Sequence, residues 1–147
     1  MFRVARQTDY AVRIILHLAR LGDGMTTIAR ITQQDRLPNS FVRRLVARLE
    51  KGGLVVTLRG KKGGVRLARP AGQISLLDVV QVMERRLDPG NGPQAGPGGS
   101  PLKEAWRGAA RTLATSLAAI RFDHIVGEPG ADGPEAGFCN RRLPAGF

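Results

Sequence analysis

Residues 37–70, LPNSFVRRLVARLEKGGLVVTLRGKKGGVRLARP, govern how the rest of the chain is read. Within them Val42, Leu45, Val46 and Leu49 recur at i, i+3, i+4 and i+7, the spacing of one apolar face on a helix. Ser40, Arg43, Arg44 and Ala47 fall on the opposite side, so the outward face is short side chains plus arginine. Gly52 and Gly53 stop this helix, because glycine accepts the left-handed geometry of a helix end without steric cost. Residues 54–58 and 65–67 are rich in β-branched side chains and read as two strands, joined by Arg59-Gly60-Lys61-Lys62-Gly63-Gly64. A helix leading into a basic hairpin outlines a winged helix. The glycines let the loop turn tightly and lie close to another surface, where Arg59, Lys61 and Lys62 place cationic tips. The surface that suits them is polyanionic.

The distribution of charge agrees. The chain has 147 residues, enough for one core, and a formal net charge of +11. Residues 1–70 hold 15 Lys+Arg against 4 Asp+Glu, and residues 71–147 hold 8 against 8. All of the excess lies in the front half, which points to a nucleic-acid face rather than to general solubility. One cysteine, Cys139, excludes an intramolecular disulfide framework and an all-cysteine metal site within one chain. With no signal peptide and no membrane-length apolar run, the expected compartment is the cytoplasm, with no membrane partner.

Upstream, residues 8–21 carry the stripe Ala11, Ile14, Ile15 and Leu18 and predict a helix capped by Thr8 or Asp9, with His17 beside the stripe. Thr26 or Thr27 starts a second short helix whose apolar contacts are Ile28, Ala29 and Ile31. Asp35 to Pro38 breaks it, and Pro38 opens the third helix. Two short helices, a tight turn and a basic third helix make a helix-turn-helix. Downstream, Ser75 and Asp78 form a capping pattern for a helix whose buried face is Leu76, Val79, Val80 and Met83. Its expected packing partner is the first helix.

The stretches TDYAVRIILHLA, LPNSFVRRLVARLEKGGLV, RGKKGGVRLARP and ISLLDVVQVME together resemble the Rrf-two family of winged-helix transcription regulators, which includes the iron–sulfur and nitric-oxide regulators IscR and NsrR. The likeness runs from residue 1 to Met83, and the wing is its most specific part. It implies a winged helix-turn-helix, and with the helical seam read below the expected fold is mainly α with a small β-wing, a winged helix-turn-helix plus a long C-terminal dimerisation helix. It also implies that the third helix enters the major groove and the wing places an arginine in the minor groove of double-stranded DNA. Carried over, Ser40, Arg43 and Arg44 meet bases or neighbouring phosphates, and Arg59 enters the minor groove. Independently, arginine donates two parallel hydrogen bonds to guanine, and a guanidinium in a narrow minor groove reads local potential and width. Lys61, Lys62 and Arg66 are expected on phosphates, and Arg48 is expected to be solvated or paired with Glu50 or another acid.

Residues 88–101, DPGNGPQAGPGGSP, have little apolar surface to bury and read as a flexible loop between a DNA-binding domain, 1–87, and a dimerisation helix, 102–126. Cluster-binding relatives carry three cysteines in this region, and none is present here. The resemblance aligns Ser100 with the last of them and Lys103 with a nearby histidine ligand, and neither side chain replaces its counterpart. Because thiolates hold iron–sulfur clusters, the expectation is no cofactor and regulation without a standard cluster. The alternative is a redox sensor with an unusual site drawn from Asp9, His17, His124 and Cys139.

Leu102, Trp106, Ala109, Leu113, Leu117 and Ile120 are spaced by threes and fours, a seam suited to helix pairing, so the chain is expected to form a homodimer that reads a palindromic operator, the competing reading being that the stripe folds back onto its own domain. Residues 127–147 return to glycine, proline and charge and read as a disordered tail holding Cys139. The expected function is a sequence-specific DNA-binding transcriptional regulator, a dimeric repressor and not an enzyme. RGKKGG lacks the spacing of a phosphate-cradling P-loop, and the two histidines and one cysteine have no metal-site spacing. A winged-helix module for protein or RNA is the alternative from another class.

Overall fold

Helix α1 (Arg6–Arg20) buries Ala11, Ile14, Ile15 and Leu18, as their spacing predicts. The computed structural model describes residues 5–84 and 101–127. The Gly/Pro stretch expected over 88–101 therefore lies outside the described residues except for Pro101, and the tail from 128 with Cys139 lies outside them altogether. α1 begins two residues before its expected start. Neither Thr8 nor Asp9 caps it: Ala5 stands at the N-cap with no side-chain bond, and Thr8 is buried in the first turn. The Glu84 carboxylate supplies what the local cap does not, accepting from the Ala5 amide at 3.1 Å and from the Thr8 hydroxyl at 2.7 Å. A charged acceptor from a distant helix displaces a local one because it satisfies two donors at once.

Thr27 caps α2 (Ile28–Asp35) by accepting from the Arg30 amide at 3.2 Å, and the helix ends on Arg36 at φ 51°. Ile31 is its buried residue; Ala29 is exposed instead of packed, because the short helix turns only a narrow stripe inward. α3 (Asn39–Lys51) follows from Pro38 at its N-cap and buries Val42, Leu45, Val46 and Leu49. Gly53, at φ 72°, turns the chain into β1 (Val55–Leu58), which pairs antiparallel with β2 (Gly64–Leu67), Thr57 opposite Val65. The root of this hairpin is held from both sides. Thr26 bridges to the far edge of β2, donating to the Val65 carbonyl at 3.0 Å and accepting from its amide at 2.7 Å. A Cβ at Gly64 would lie 2.5 Å from the Thr26 carbonyl oxygen, so this approach needs glycine. On the β1 side, the Glu50 carboxylate accepts from the Thr57 amide at 3.1 Å and ties the strand back to α3.

After a 3-10 turn (Ala71–Gln73), the Ser75/Asp78 capping box forms as expected and opens α4 (Leu76–Met83), which packs on α1. Helix α5 (Pro101–Ala119) stops short of its expected end. The chain straightens at Ile120 and Arg121, where the Ile120 carbonyl accepts from the Leu76 amide at 2.8 Å and the Phe122 amide donates to the Ile74 carbonyl at 3.1 Å. Those two bonds replace the helical ones and let Phe122 turn into the core, fully buried, at the start of α6 (Phe122–Val126). Among the described residues no helix is long and apolar enough to cross a membrane.

Candidate nucleic-acid interface

Ser40, Arg43 and Arg44 lie exposed in the first half of α3, opposite its apolar face. The Arg43 Nε donates to the Asn39 Oδ1 at 2.6 Å, one turn back, which aligns the guanidinium along the helix while leaving its terminal nitrogens outward. The Arg44 guanidinium lies 5.6 Å from the centroid of Phe41, and Phe41 meets Tyr10 edge-to-face at 5.7 Å with the rings 87° apart. Arg13 covers the Tyr10 ring at 5.5 Å and pairs with Asp9 at 3.0 Å. A stack from α1 thus braces an arginine of α3, worth roughly 0.5–1 kcal/mol per exposed cation–π contact. Composition and periodicity do not reveal such a brace, because its partners come from different helices.

Arg59, Lys61 and Lys62 are exposed in the loop between β1 and β2, and Arg66 is exposed on β2. Gly60 takes φ 113°, a geometry closed to ordinary side chains, and the Gly63 amide donates to its carbonyl at 2.9 Å. Adding a Cβ at Gly63 would bring it 2.3 Å from the Leu58 carbonyl oxygen. The loop is therefore shaped by its glycines, and its cations are carried on a tight frame. Since α3 runs into β1 across Gly52-Gly53 and is tied to it by Glu50, both cationic groups belong to one continuous, internally bonded segment.

Arg48 departs from expectation. It is half-buried and hydrogen-bonded to neutral acceptors instead of an acid: its Nη1 donates to the Gln7 Oε1 at 2.9 Å and its Nη2 to the carbonyls of Met83, at 2.8 Å, and Val82, at 3.3 Å. Glu50, its suggested partner, is engaged by Thr57. At the end of α4, one guanidinium nitrogen is thus shared between two carbonyls of the last turn, the kind of contact a cation makes at a helix C-terminus.

Along α5, Leu102 and Trp106 are 66 % and 69 % exposed, Ala109 is exposed and Leu113 is partly covered, and just past its end Ile120 is 40 % exposed. Leu117 differs from the rest of the predicted seam: it is buried within this chain, where α5 meets α4. Among the described residues the candidate ligands do not converge, and Cys139 lies outside them. Asp9 is engaged by Arg13, His124 stands exposed on α6 beside Asp123, and among the described residues no three of His, Cys, Asp or Glu gather around one point.

His17 lines a cleft between α1 and α2 with Leu21, Thr26, Arg30, Gln33 and Gln34, and its Nε2 has no hydrogen-bond partner among the described residues. Burial pushes its pKa down; Asp35 pulls the other way, and Arg20 and Arg30 add to the lowering. The folded protein therefore binds fewer protons here than the unfolded chain, whose imidazole titrates at about 6.5, and stability falls as pH drops through that value. Melting temperatures should consequently fall more steeply for the wild type than for His17→Gln between about pH 7.5 and pH 5.5. Equal slopes in the two proteins would contradict this.

A two-stranded wing after an exposed cationic third helix, both bonded into one helical core, defines a protein of the winged-helix class. The family model described as Rrf2, iron-dependent transcriptional regulator, matches residues 4–128, and the chain belongs to that family. Protein aau3 of Rhizobium meliloti (strain 1021) is 42 % identical over 82 residues, a match covering 56 % of this chain and 53 % of that protein, so the chain spans about half the length of that relative. Among solved structures, IscR of T. potens superposes with a TM-score of 0.69 at 25 % identity, covering 85 % of this chain and 86 % of that one. CymR (YrzC), the global cysteine regulator of B. subtilis, superposes with a TM-score of 0.70 at 24 % identity over 86 % and 97 %, a likeness of fold. The family's description names iron, but the donors present do not fit a thiolate-held cluster: Cys139 is the single cysteine of the chain.

Proposed function

We propose that this regulator is a homodimeric repressor that reads a palindromic operator without a standard iron–sulfur cluster. The observation that carries the reading is the row Ser40, Arg43 and Arg44, exposed on a helix bonded directly to a wing tipped with Arg59, Lys61 and Lys62. A helix in the major groove with a wing over the adjacent minor groove uses such a pair. Ser40, Arg43 and Arg44 face bases or nearby phosphates; Arg59 takes the minor groove; Lys61, Lys62 and Arg66 take phosphates. Occupying a promoter in this way excludes polymerase. In competition binding with rising salt, the protein retains preference for a duplex from its own regulated promoter after the counterion-driven part has weakened. Equal binding to every duplex would refute the reading and favour a module for protein or RNA.

Exposed Leu102 and Trp106 support pairing through α5, since a large aromatic and a leucine near the start of one helix are stabilised by cover. Two recognition helices then reach half-sites about 34 Å apart, one turn of DNA. Sedimentation should show a dimer for the wild type and a monomer for Trp106→Glu, with the variant's footprint on the operator reduced to a half-site. A Trp106→Glu protein that still sediments as a dimer would remove α5 from the interface.

A further inference from the structure

We infer that Arg48 is a positioning residue for base recognition, one that sets the angle of α3 by gripping the end of α4. The inference rests on the operator-reading function proposed above. Arg48 lies one turn beyond Arg44, at the border between the apolar and cationic faces of α3, where a guanidinium has a choice between DNA and the protein. The three hydrogen bonds to Gln7, Met83 and Val82 commit it to the protein. Its planar fork makes the commitment directional, because Nη1 reaches Gln7 on α1 while Nη2 reaches the carbonyls of α4, and both are satisfied only with α3 at one pitch against the two helices.

Independent contacts close the same joint. A Cβ on Gly52, at the end of α3, would lie 2.3 Å from a methyl of Val82, so the two helices already touch there and Arg48 works at short lever length. On the other side of Val82 and Met83, the Glu84 carboxylate holds Thr8 and the Ala5 amide. First turn of α1, flank of α3 and last turn of α4 thus meet in one polar joint made of Gln7, Thr8, Arg48 and Glu84. The carbonyls that Arg48 grips belong to the last two residues before Glu84, and whatever displaces the end of α4 displaces them. Arg44 and Arg48 share a helix, so the same displacement moves the tip of Arg44. Base recognition is sensitive to this, since a bidentate contact tolerates little error in distance or angle, whereas phosphate attraction tolerates much.

The two roles open to Arg48 differ in what they leave behind. Removing a phosphate contact weakens all duplexes alike and lowers the slope of log K against log salt by about one. Removing a positioning residue leaves that slope and the affinity for bulk DNA intact, and lowers the ratio of operator to bulk affinity by roughly three- to thirtyfold. The experiment measures both quantities for the full chain, for Arg48→Gln and for Arg48→Lys, which keeps the charge but not the fork. Both variants should show the reduced ratio at unchanged slope, with cooperative thermal unfolding retained. A ratio within about twofold of the wild type in Arg48→Lys, a slope reduced by one in Arg48→Gln, or loss of cooperative unfolding in both variants would each overturn the inference. If the wild type itself does not discriminate its operator, the functional reading falls instead. If it discriminates and Arg48→Lys does so equally, only the role of Arg48 falls.

Discussion

Replacing Arg44 by alanine is expected to lower operator affinity by about 1–3 kcal/mol, between fivefold and somewhat more than a hundredfold in Kd, and to relax preference at one base pair. The size follows from what is lost. A guanidinium that donates two bonds to one base edge leaves, when removed, both the energy of the contact and the discrimination against other bases. The effect on folding is smaller, because Arg44 is exposed and its one described contact is the face of Phe41, worth roughly 0.5–1 kcal/mol. Arg59→Ala is expected to differ in kind. Its loss weakens binding most where the minor groove is narrow, so an operator with AT-rich flanks loses more than one with GC-rich flanks. Because the two arginines sit on separate elements and share no described partner, the double variant should lose close to the sum of the single losses. Quantitative binding on matched duplexes, with melting curves to show that folding is intact, measures all three. Operator occupancy unchanged in the double variant would contradict the entire placement of the DNA face.

Phe122→Ala is expected to destabilise the protein by about 3–5 kcal/mol, a large part of the ~5–15 kcal/mol typical of a folded domain. Phe122 is among the largest fully buried side chains of the described residues, and it sits against α1 and the 3-10 turn. Truncation opens a cavity that closes poorly, because the main chain around it is held by the hydrogen bonds from the Phe122 amide to the Ile74 carbonyl and from the Leu76 amide to the Ile120 carbonyl. Those same main-chain bonds fasten the end of α5 to the start of α4 and do not depend on the ring, so the loss is one of core volume. In thermal unfolding this amounts to a fall of roughly 10–15 °C. A loss below about 1 kcal/mol would mean that this end of the chain does not complete the core.

Much of this molecule was legible in the sequence wherever a local rule applied. The 3.6-residue spacing of Val42, Leu45, Val46 and Leu49 placed both the buried face of α3 and, by elimination, its arginine face. Thr27 and the Ser75/Asp78 box marked two helix starts within a residue, since the donor and the acceptor lie three positions apart in the chain. Gly52-Gly53 and the β-branched runs marked the wing. These features depend on neighbours in sequence, and neighbours in sequence are known before folding.

The misplaced features all depend on partners far along the chain. Thr8 looked like a cap and became a buried donor, because Glu84, 76 residues away, offers a stronger acceptor. Arg48 looked like a surface charge and became the clasp of α4, because three distant acceptors converge on it. Leu117 shared the spacing of the α5 seam but is covered by α4, and Phe122 ended the helix it was expected to extend, because burying its ring outweighs two more helical bonds. The sequence by itself determined the elements, the winged-helix order and the cationic character of α3 and the wing, since periodicity, glycine geometry and charge are properties of short stretches. Only the tertiary structure decided which arginines point outward and which are consumed inside, because an exposed guanidinium and a capping one differ only in the acceptors that folding brings within about 3 Å.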